Sequence, residues 1–186
     1  MKDIILAHVN LTEYQYETLL SVSKKHSVSK GQIIFRPEKP NLKYLFLEKG
    51  LLRGYKIIDG KEYTHHFYFP NWFATDYKSY LTEKPSNIFI ETLTDVEYYE
   101  FNKKDLLHLF REHHEFEKLG RIIAEEAFLQ TVEKLSGMQL LSLEDRYKRL
   151  LEKNPKLFQK VPQKYIASYL GVAEQSLSRM KKQIIS

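Results

Sequence analysis

The side chains best suited to recognition chemistry in this sequence lie near its end, between residues 163 and 182. Those of a type that reaches base edges or phosphates are Glu174, Gln175, Ser176, Ser178, Arg179 and Lys182. Arg179 suits a bidentate contact to guanine, Gln175 suits adenine, and Glu174 can accept a hydrogen bond from the cytosine amino group. An alternative role for Glu174 is stabilisation of the helix dipole in a first helical turn, worth about 0.3–1 kcal/mol.

Apolar residues between these polar ones predict two short helices that cross at a steep angle. The positions that need apolar contacts are Ile166, Leu170, Val172, Leu177 and Met180. Ala167 stands at the closest approach of the two helices, and Gly171 stands at the turn, where a positive φ costs glycine little. This spacing is that of a helix-turn-helix, although an ordinary helical hairpin can share it.

Basic residues dominate the last part of the chain. From residue 156 onward they are Lys156, Lys160, Lys164, Arg179, Lys181 and Lys182, against the single acid Glu174. The whole chain of 186 residues carries a formal charge of +5. This distribution would attract phosphates and make binding salt-dependent. Together with the helix-turn-helix spacing, it favours double-stranded DNA as a partner. Lys164, Lys181 and Lys182 suit phosphate contacts, which position a protein without specifying a sequence.

Composition narrows the class of protein. The chain has no cysteine, which excludes disulfides, thiolate catalysis and cysteine-ligated metal sites. The same absence fits a reducing cytoplasm. The N-terminal residues MKDIILAHVNLTEYQ lack the apolar region and cleavage site of a signal peptide, and no stretch has the length of a transmembrane helix. We therefore expect a soluble, cytoplasmic protein with no membrane partner.

The segments upstream change character twice. Residues 10–27 predict a helix capped by Asn10 or Thr12. From about 28 to 101, short β-branched and aromatic runs alternate with turn signals, which predicts an antiparallel β-roll with a hairpin at Asp59-Gly60. Helical periodicity then returns, and the longest helix is predicted over 115–137, ending or bending at Gly137.

This order of elements resembles the Crp/Fnr family of bacterial transcription regulators. The resemblance is carried by KYLFLEKGLLRGYKIIDGKEYTHHFYFP in the roll and is tightest in KYIASYLGVAEQSLSRMKK near the end. It implies an α+β fold: an N-terminal antiparallel β-roll (a jelly roll, or double-stranded β-helix) like a cyclic nucleotide-binding domain, a long dimerisation helix, and an all-α helix-turn-helix domain. The corresponding domains are 1–114, 115–137 and 138–186.

The resemblance also implies a DNA-binding transcription regulator and not an enzyme. A homodimer would bind a palindromic site through a recognition helix at 173–183, with RNA polymerase as a further partner to consider. The apolar stripe of helix 115–137 is wider than packing on one domain requires, and the resemblance implies a parallel, two-fold pair of these helices. The alternative is a helix buried entirely within its own chain.

The effector region departs from the family pattern. Ala74-Thr75-Asp76 stands where the family has glycine and glutamate, and Ser86-Asn87 stands where it has the phosphate-binding arginine and its neighbour. A buried phosphate without a basic partner is poorly compensated, so we expect that cyclic AMP is not the effector; the effector stays unknown and no cofactor is predicted. Residues that are candidates to line another pocket are Trp72, Phe73, Thr75, Tyr77, Ser86 and Asn87; the alternative is that the aromatic ones fill the roll as core.

Two other functions are alternatives to transcription regulation. A cupin-type metalloenzyme would use histidines, but His65-His66 on a strand point to opposite faces and His113-His114 on a helix diverge. No catalytic or metal-ligating residue is therefore predicted. The second alternative is a protein-interaction module whose helix-turn-helix no longer binds DNA.

Overall fold

The computed structural model describes residues 1–185; Ser186, the last residue of the predicted C-terminal domain, lies outside the described residues. The strands are β1 (Ser23–Val28), β2 (Ile33–Phe35), β3 (Lys43–Lys49), β4 (Leu52–Ile58), β5 (Lys61–Tyr68), β6 (Phe73–Ala74), β7 (Phe89–Thr92) and β8 (Val96–Asn102). The helices are α1 (Lys2–Leu6), α2 (Glu13–Ser21), α3 (Tyr77–Thr82), α4 (Lys103–Glu112), α5 (His114–Leu140), α6 (Leu143–Lys153), α7 (Leu157–Lys160), α8 (Gln163–Tyr169) and α9 (Glu174–Ile185). The predicted fold class is confirmed.

Two compact units divide the chain. The N-terminal unit consists of Met1–Gly54 and Phe67–Ala127. The C-terminal unit consists of Tyr55–His66, which is the outer part of the β4–β5 hairpin, together with the chain from Phe128 onward. Strands β4 and β5 and helix α5 therefore each contribute residues to both units.

Two four-stranded sheets form the roll, with strand orders β1-β8-β3-β6 and β2-β7-β4-β5. The pairs β1–β8, β3–β8, β3–β6 and β2–β7 are antiparallel. Alternate residues of both sheets meet in one apolar core, which includes Leu45, Leu52, Ile90 and Tyr98. The alternation follows from the two-residue period of a strand, which sends successive side chains to opposite faces.

A second apolar cluster covers the other face of the β1-β8-β3-β6 sheet. Phe46 of β3 and Phe101 of β8 supply the sheet side of this cluster, and Ile5, Leu19 and Leu109 supply part of its helical side. Helices α1, α2, α4 and the beginning of α5 therefore bury the outer face of this sheet.

Two tight turns of the roll contain glycine, and both lie in the segment that resembles the Crp/Fnr roll. Gly50 has φ +92°, and a Cβ there would lie 2.3 Å from the Asp95 carbonyl oxygen and 2.7 Å from Val96 Cγ1. Asp59 and Gly60, at φ 50° and 73°, form the predicted two-residue turn between β4 and β5. Both positions need backbone conformations that most side chains resist.

The N-terminal helical prediction was too long. Thr12 caps α2 and forms a capping box with Gln15, as one of the two predicted caps. The helix ends at Ser21, however, and Ser23–Val28 forms a strand that pairs with β8. The residues SKKHSV carry little apolar signal because only one side of this strand meets the core.

Helix α5 extends beyond its predicted range of 115–137. It starts at His114 and continues past Gly137 to Leu140. The carbonyl of Gly137 accepts from the Leu141 amide at 3.1 Å, so the helical hydrogen bonding persists there. A glycine inside a helix costs only about 1 kcal/mol relative to alanine, and at this position that cost does not end the helix.

Candidate nucleic-acid interface and effector site

Helices α8 and α9 form the helix-turn-helix that the sequence predicts. Ile166, Ala167, Leu170, Leu177 and Met180 are all buried, with exposures of 1–8%, whereas Val172 is only partly buried. Gly171 at the turn has φ +74°, and a Cβ there would lie 3.2 Å from Met138 Cε.

The outward face of α9 carries the predicted DNA-reading side chains. Glu174, Gln175, Ser176, Arg179 and Lys182 are exposed, and Ser178 is partly buried. The buried Leu177 and Met180 turn the opposite face of α9 inward. At 100° per residue, Gln175, Arg179 and Lys182 share one side of the helix.

The three predicted phosphate-contacting lysines differ in their surroundings. Lys164 is exposed near the start of α8, and its Nζ lies 5.0 Å from the centroid of the Tyr165 ring. Lys181 is partly buried and donates to Gln163 Oε1 at 3.3 Å. Lys182 is exposed on the same face as Arg179. Lys164 and Lys182 are therefore the two of these lysines that are exposed to solvent.

In the N-terminal unit, Asp76 and Ser86, which the sequence resemblance places at the positions of the family's glutamate and arginine, contact each other. Ser86 Oγ donates to Asp76 Oδ2 at 2.6 Å, and the same hydroxyl accepts from the Ile88 amide at 3.0 Å. Asp76 Oδ1 also accepts from the Ser79 amide at 3.3 Å and caps α3. Asp76 and Ser86 are 5% and 7% exposed, so this carboxylate is enclosed by the chain's own donors.

The hydrogen bonds continue through neighbouring buried groups. Ser79 Oγ donates to the Lys84 carbonyl at 2.6 Å and accepts from the Asn41 amide at 2.9 Å. The side-chain amide of Asn41 donates to Thr75 Oγ1 at 3.1 Å, and this hydroxyl donates to the Lys43 carbonyl at 2.8 Å. We call Asn41, Thr75, Asp76, Ser79 and Ser86 the polar network of the roll.

Tyr68 fills the space beside this network. Its ring lies against Gly54, where a Cβ would stand 3.4 Å from Tyr68 Cε2, and its hydroxyl donates to the Thr75 carbonyl at 3.1 Å. Burial raises the pKa of Tyr68 well above its usual value, and the nearby Asp76 carboxylate adds to this effect. The phenol therefore stays a hydrogen-bond donor at neutral pH.

The residues predicted to line an effector pocket have different surroundings in the structure. Thr75 and Ser86 belong to the polar network. Phe73 packs in the helix-covered cluster, 5.1 Å from the Phe46 ring centroid. Trp72 lies 5.2 Å from Phe69 and Tyr77 lies 6.3 Å from Tyr44, each in an edge contact. Asn87 is exposed.

A buried ion pair is a feature that sequence reasoning missed. Arg53 of β4 is 0% exposed, and its Nη1 lies 2.8 Å from Glu91 Oε1 of β7. The neighbouring residues Leu52 and Ile90 point into the roll's core, so this pair lies on the opposite face of its sheet. The available signal was an arginine within the otherwise uncharged run LLRGY.

The histidine pairs show no metal-binding arrangement. His65 is exposed and its neighbour His66 is partly buried, consistent with opposite faces of β5. His113 caps the end of α4 and His114 begins α5. Among residues 1–185, no group of three or more His, Asp or Glu side chains is arranged to hold a metal ion.

Comparison with known proteins adds to these observations. The sequence profile of the cyclic nucleotide-binding domain matches residues 25–113. A solved structure of the c-di-GMP-responsive global regulator CLP from Xanthomonas campestris superposes with a TM-score of 0.73 at 18% identity, covering 93% of this chain and 91% of CLP. The chain has the Crp/Fnr fold.

Two further structures with this fold support the same conclusion. A putative Crp/Fnr-family regulator from Eubacterium rectale gives a TM-score of 0.71 at 19% identity, covering 93% of this chain and 83% of its own. FixK2 from Bradyrhizobium japonicum gives 0.73 at 16% identity, with 88% and 84% covered. No curated protein sequence matches the chain. The Crp/Fnr resemblance predicted from the sequence is confirmed for the fold. Within residues 1–185, no helix is both long enough and apolar enough to cross a membrane.

Proposed function

We propose that this chain is a transcription regulator that binds double-stranded DNA as a homodimer and reads a palindromic site through residues 173–183. The observation that carries this proposal is the face of α9. Arg179, Gln175 and Lys182 point outward from a helix whose other face is fixed in the unit by Leu177 and Met180. These are side-chain types that contact guanine, adenine and phosphate in a major groove.

The second half of α5 supports the homodimer. Phe116 and Leu119 in its first half are buried, at 1% and 6% exposure. In the second half Phe128, Val132 and Leu135 are 67%, 41% and 57% exposed. Their spacing of four and three residues forms one apolar stripe, the seam of a two-helix coiled coil. A two-fold axis along this stripe would separate the recognition helices by one turn of DNA, about 34 Å.

The polar network supports an effector other than cyclic AMP. A nucleotide phosphate placed at the family position would meet the Asp76 carboxylate, which already accepts from Ser86 and Ser79. Bringing a second anion beside a buried carboxylate is unfavourable unless a cation accompanies it. Tyr68 also occupies the space beside Gly54. Whether the roll binds another ligand or only supports the dimer, it would act by favouring one arrangement of the two DNA-binding heads.

The test is selection of genomic DNA fragments by the purified protein at near-physiological salt. Binding of the enriched sequence is then titrated over a salt series, with and without cyclic AMP. We expect a two-fold symmetric site, a steep salt dependence and no change with cyclic AMP. Arg179→Ala should cost about 1–3 kcal/mol per half-site, whereas Arg111→Ala, at an exposed position in α4, should leave binding unchanged.

The alternatives make different predictions in the same experiment. An interaction module would enrich no sequence and would show no salt-sensitive affinity, even after a screen of metabolites. A cupin-type enzyme would retain a stoichiometric metal on purification, which elemental analysis measures. Either result would replace the regulator proposal.

A further inference from the structure

The outer part of the β4–β5 hairpin contacts the first helix of the helix-turn-helix. The backbone amide of Thr64 donates to Ser168 Oγ at 2.8 Å, and Ser168 Oγ lies 3.4 Å from the Glu62 carbonyl. Thr64 is 5% exposed, although its neighbours Tyr63 and His65 are exposed. Thr64 is thus covered within the C-terminal unit, while the residues on either side of it face solvent.

Helix α5 contributes a second contact to the same hairpin. Lys134 Nζ donates to the His65 carbonyl at 2.5 Å and lies 4.2 Å from the centroid of the Tyr169 ring. The ammonium group is therefore placed between the hairpin backbone and an aromatic ring of α8. A cation over an aromatic face is attracted by the ring quadrupole, more strongly where water is excluded.

The side chain of Lys134 is half-buried among these groups. Burial lowers the pKa of Lys134 from its ordinary value of 10.5 to about 8. A lysine that only lay along the surface would keep its ammonium hydrated. The Lys134 ammonium group is therefore partly desolvated where it makes its two contacts.

We propose that the hairpin, through Thr64 and His65, is a positioning clamp that fixes α8, and with it the recognition helix, to the distal half of α5. The proposal rests on the DNA-binding function proposed above. The hairpin contacts Ser168 of α8 directly. Lys134, which donates to the His65 carbonyl, contacts the Tyr169 ring of α8. Gln175 and Arg179 of α9 remain exposed. The clamp therefore leaves the DNA-reading face open and holds it in a defined orientation.

Fixing α8 to α5 has a direct consequence for a dimer. The seam on α5 sets the two-fold axis, so a head fixed to α5 holds its recognition helix at a set distance from that axis. A preorganised pair of heads binds two half-sites without first losing orientational freedom. Release of the clamp should weaken binding to the palindrome more than binding to one half-site.

The first experiment opens the clamp. The double variant Ser168→Ala/Lys134→Met removes the hydroxyl and the ammonium group while keeping most of the packing. We expect about tenfold weaker binding to the selected palindrome, the scale of two net hydrogen bonds, and faster hydrogen exchange of the α8 amides. Lys153→Met is the control, because Lys153 is an exposed lysine of α6 paired with Glu133 in the same unit.

The second experiment closes the clamp. The chain has no cysteine, so Thr64→Cys/Ser168→Cys introduces the only two thiols, and their oxidation locks the hairpin to α8. The locked protein should bind the palindrome at least as tightly as its reduced form. Loss of DNA binding on locking would overturn the proposal, because it would make the hairpin inhibitory. Wild-type affinity and wild-type exchange in the opened variant would overturn it as well.

These two experiments also distinguish failure of the clamp proposal from failure of the DNA-binding function on which it rests. If the wild-type protein binds no DNA sequence, the regulator proposal fails by itself. The exchange rates of the α8 amides in the opened variant then decide whether the clamp holds the helix. Unchanged rates reject the clamp, and faster rates than in Lys153→Met support it.

Discussion

At the scale of single residues, His66 of strand β5 makes the stability of the protein depend on pH. Burial lowers the pKa of His66 from 6.5 to about 3, and the charges of Lys134 and His65 act in the same direction. The folded protein thus keeps this imidazole neutral at a pH where the unfolded chain protonates it. Because the unfolded state binds more protons between pH 6.5 and 3, stability falls as the pH falls through that window.

We therefore expect His66→Gln to flatten the acid side of the stability profile. A single group of this kind contributes a slope of at most about 1.4 kcal/mol per pH unit. The measurement is the urea midpoint by circular dichroism between pH 7 and 4. His108→Gln, at an exposed position of α4, is the matched control and should retain the wild-type slope. Parallel profiles for wild type and His66→Gln would contradict the assignment.

Arg53 and the polar network show what single-residue reasoning from sequence cannot reach. The sequence resemblance places Asp76 and Ser86 where the family has its glutamate and arginine, and it predicts that a phosphate would lack a partner there. The 2.6 Å hydrogen bond between these two side chains was not predictable, because it depends on how the loop after α3 returns to the strand. The partner of Arg53 likewise depends on the pairing of β4 with β7 in one sheet.

At the scale of elements, periodicity predicted the helices and strands whose faces differ strongly. The helix-turn-helix followed from apolar positions and one glycine, and its buried residues agree with that pattern except for the partly covered Val172. Strand β1 was missed because its residues SKKHSV show no clear apolar alternation and follow a helix without a turn signal. Long-range pairing with β8, rather than local sequence, makes this segment a strand.

The apolar stripe of helix α5 has two interpretations from the sequence: a helix pair in a dimer, or a helix buried within its own chain. Its first half is buried in the N-terminal unit, through Phe116 and Leu119. Its second half leaves Phe128, Val132 and Leu135 exposed. Packing within the chain therefore describes the first half of the helix, and the second half has the exposed apolar face that the proposed dimer requires. A contiguous exposed apolar face of this kind is typical of an interaction surface.

We expect Val132→Asp/Leu135→Asp to convert a dimer to a monomer. Two carboxylates in a coiled-coil seam would have to be desolvated next to their symmetry mates, which costs more than the apolar contacts contribute. Sedimentation equilibrium measures the change in mass. The control is Leu81→Asp, since Leu81 of α3 is also 58% exposed but lies in the N-terminal unit. A variant that stays dimeric would place the interface elsewhere.

At the scale of the whole molecule, the proposed dimer would combine the basic charge of the C-terminal unit with two-fold symmetry. A dimer presents every phosphate-contacting lysine twice. Each phosphate neutralised on double-stranded DNA contributes about 0.9 to the slope of log affinity against log salt concentration. The steepness of this slope therefore counts the contacts of the complete assembly.

This count gives a test of the lysines that the structure leaves exposed. Lys164→Gln/Lys182→Gln removes up to two contacts from each half-site, so the slope should decrease by about 3–4 for a dimer and by about 2 for a monomer. Lys30→Gln/Lys78→Gln removes the same formal charge from exposed positions of the N-terminal unit and should leave the slope unchanged. Fluorescence anisotropy of the selected site between 50 and 200 mM salt, roughly the range over which such contacts dominate, measures both.

An equal decrease in the two variants would mean that net charge, rather than contacts made by α8 and α9, drives binding. If Lys164→Gln/Lys182→Gln is dimeric and its slope still decreases only by about 2, then only one head of the dimer engages the DNA.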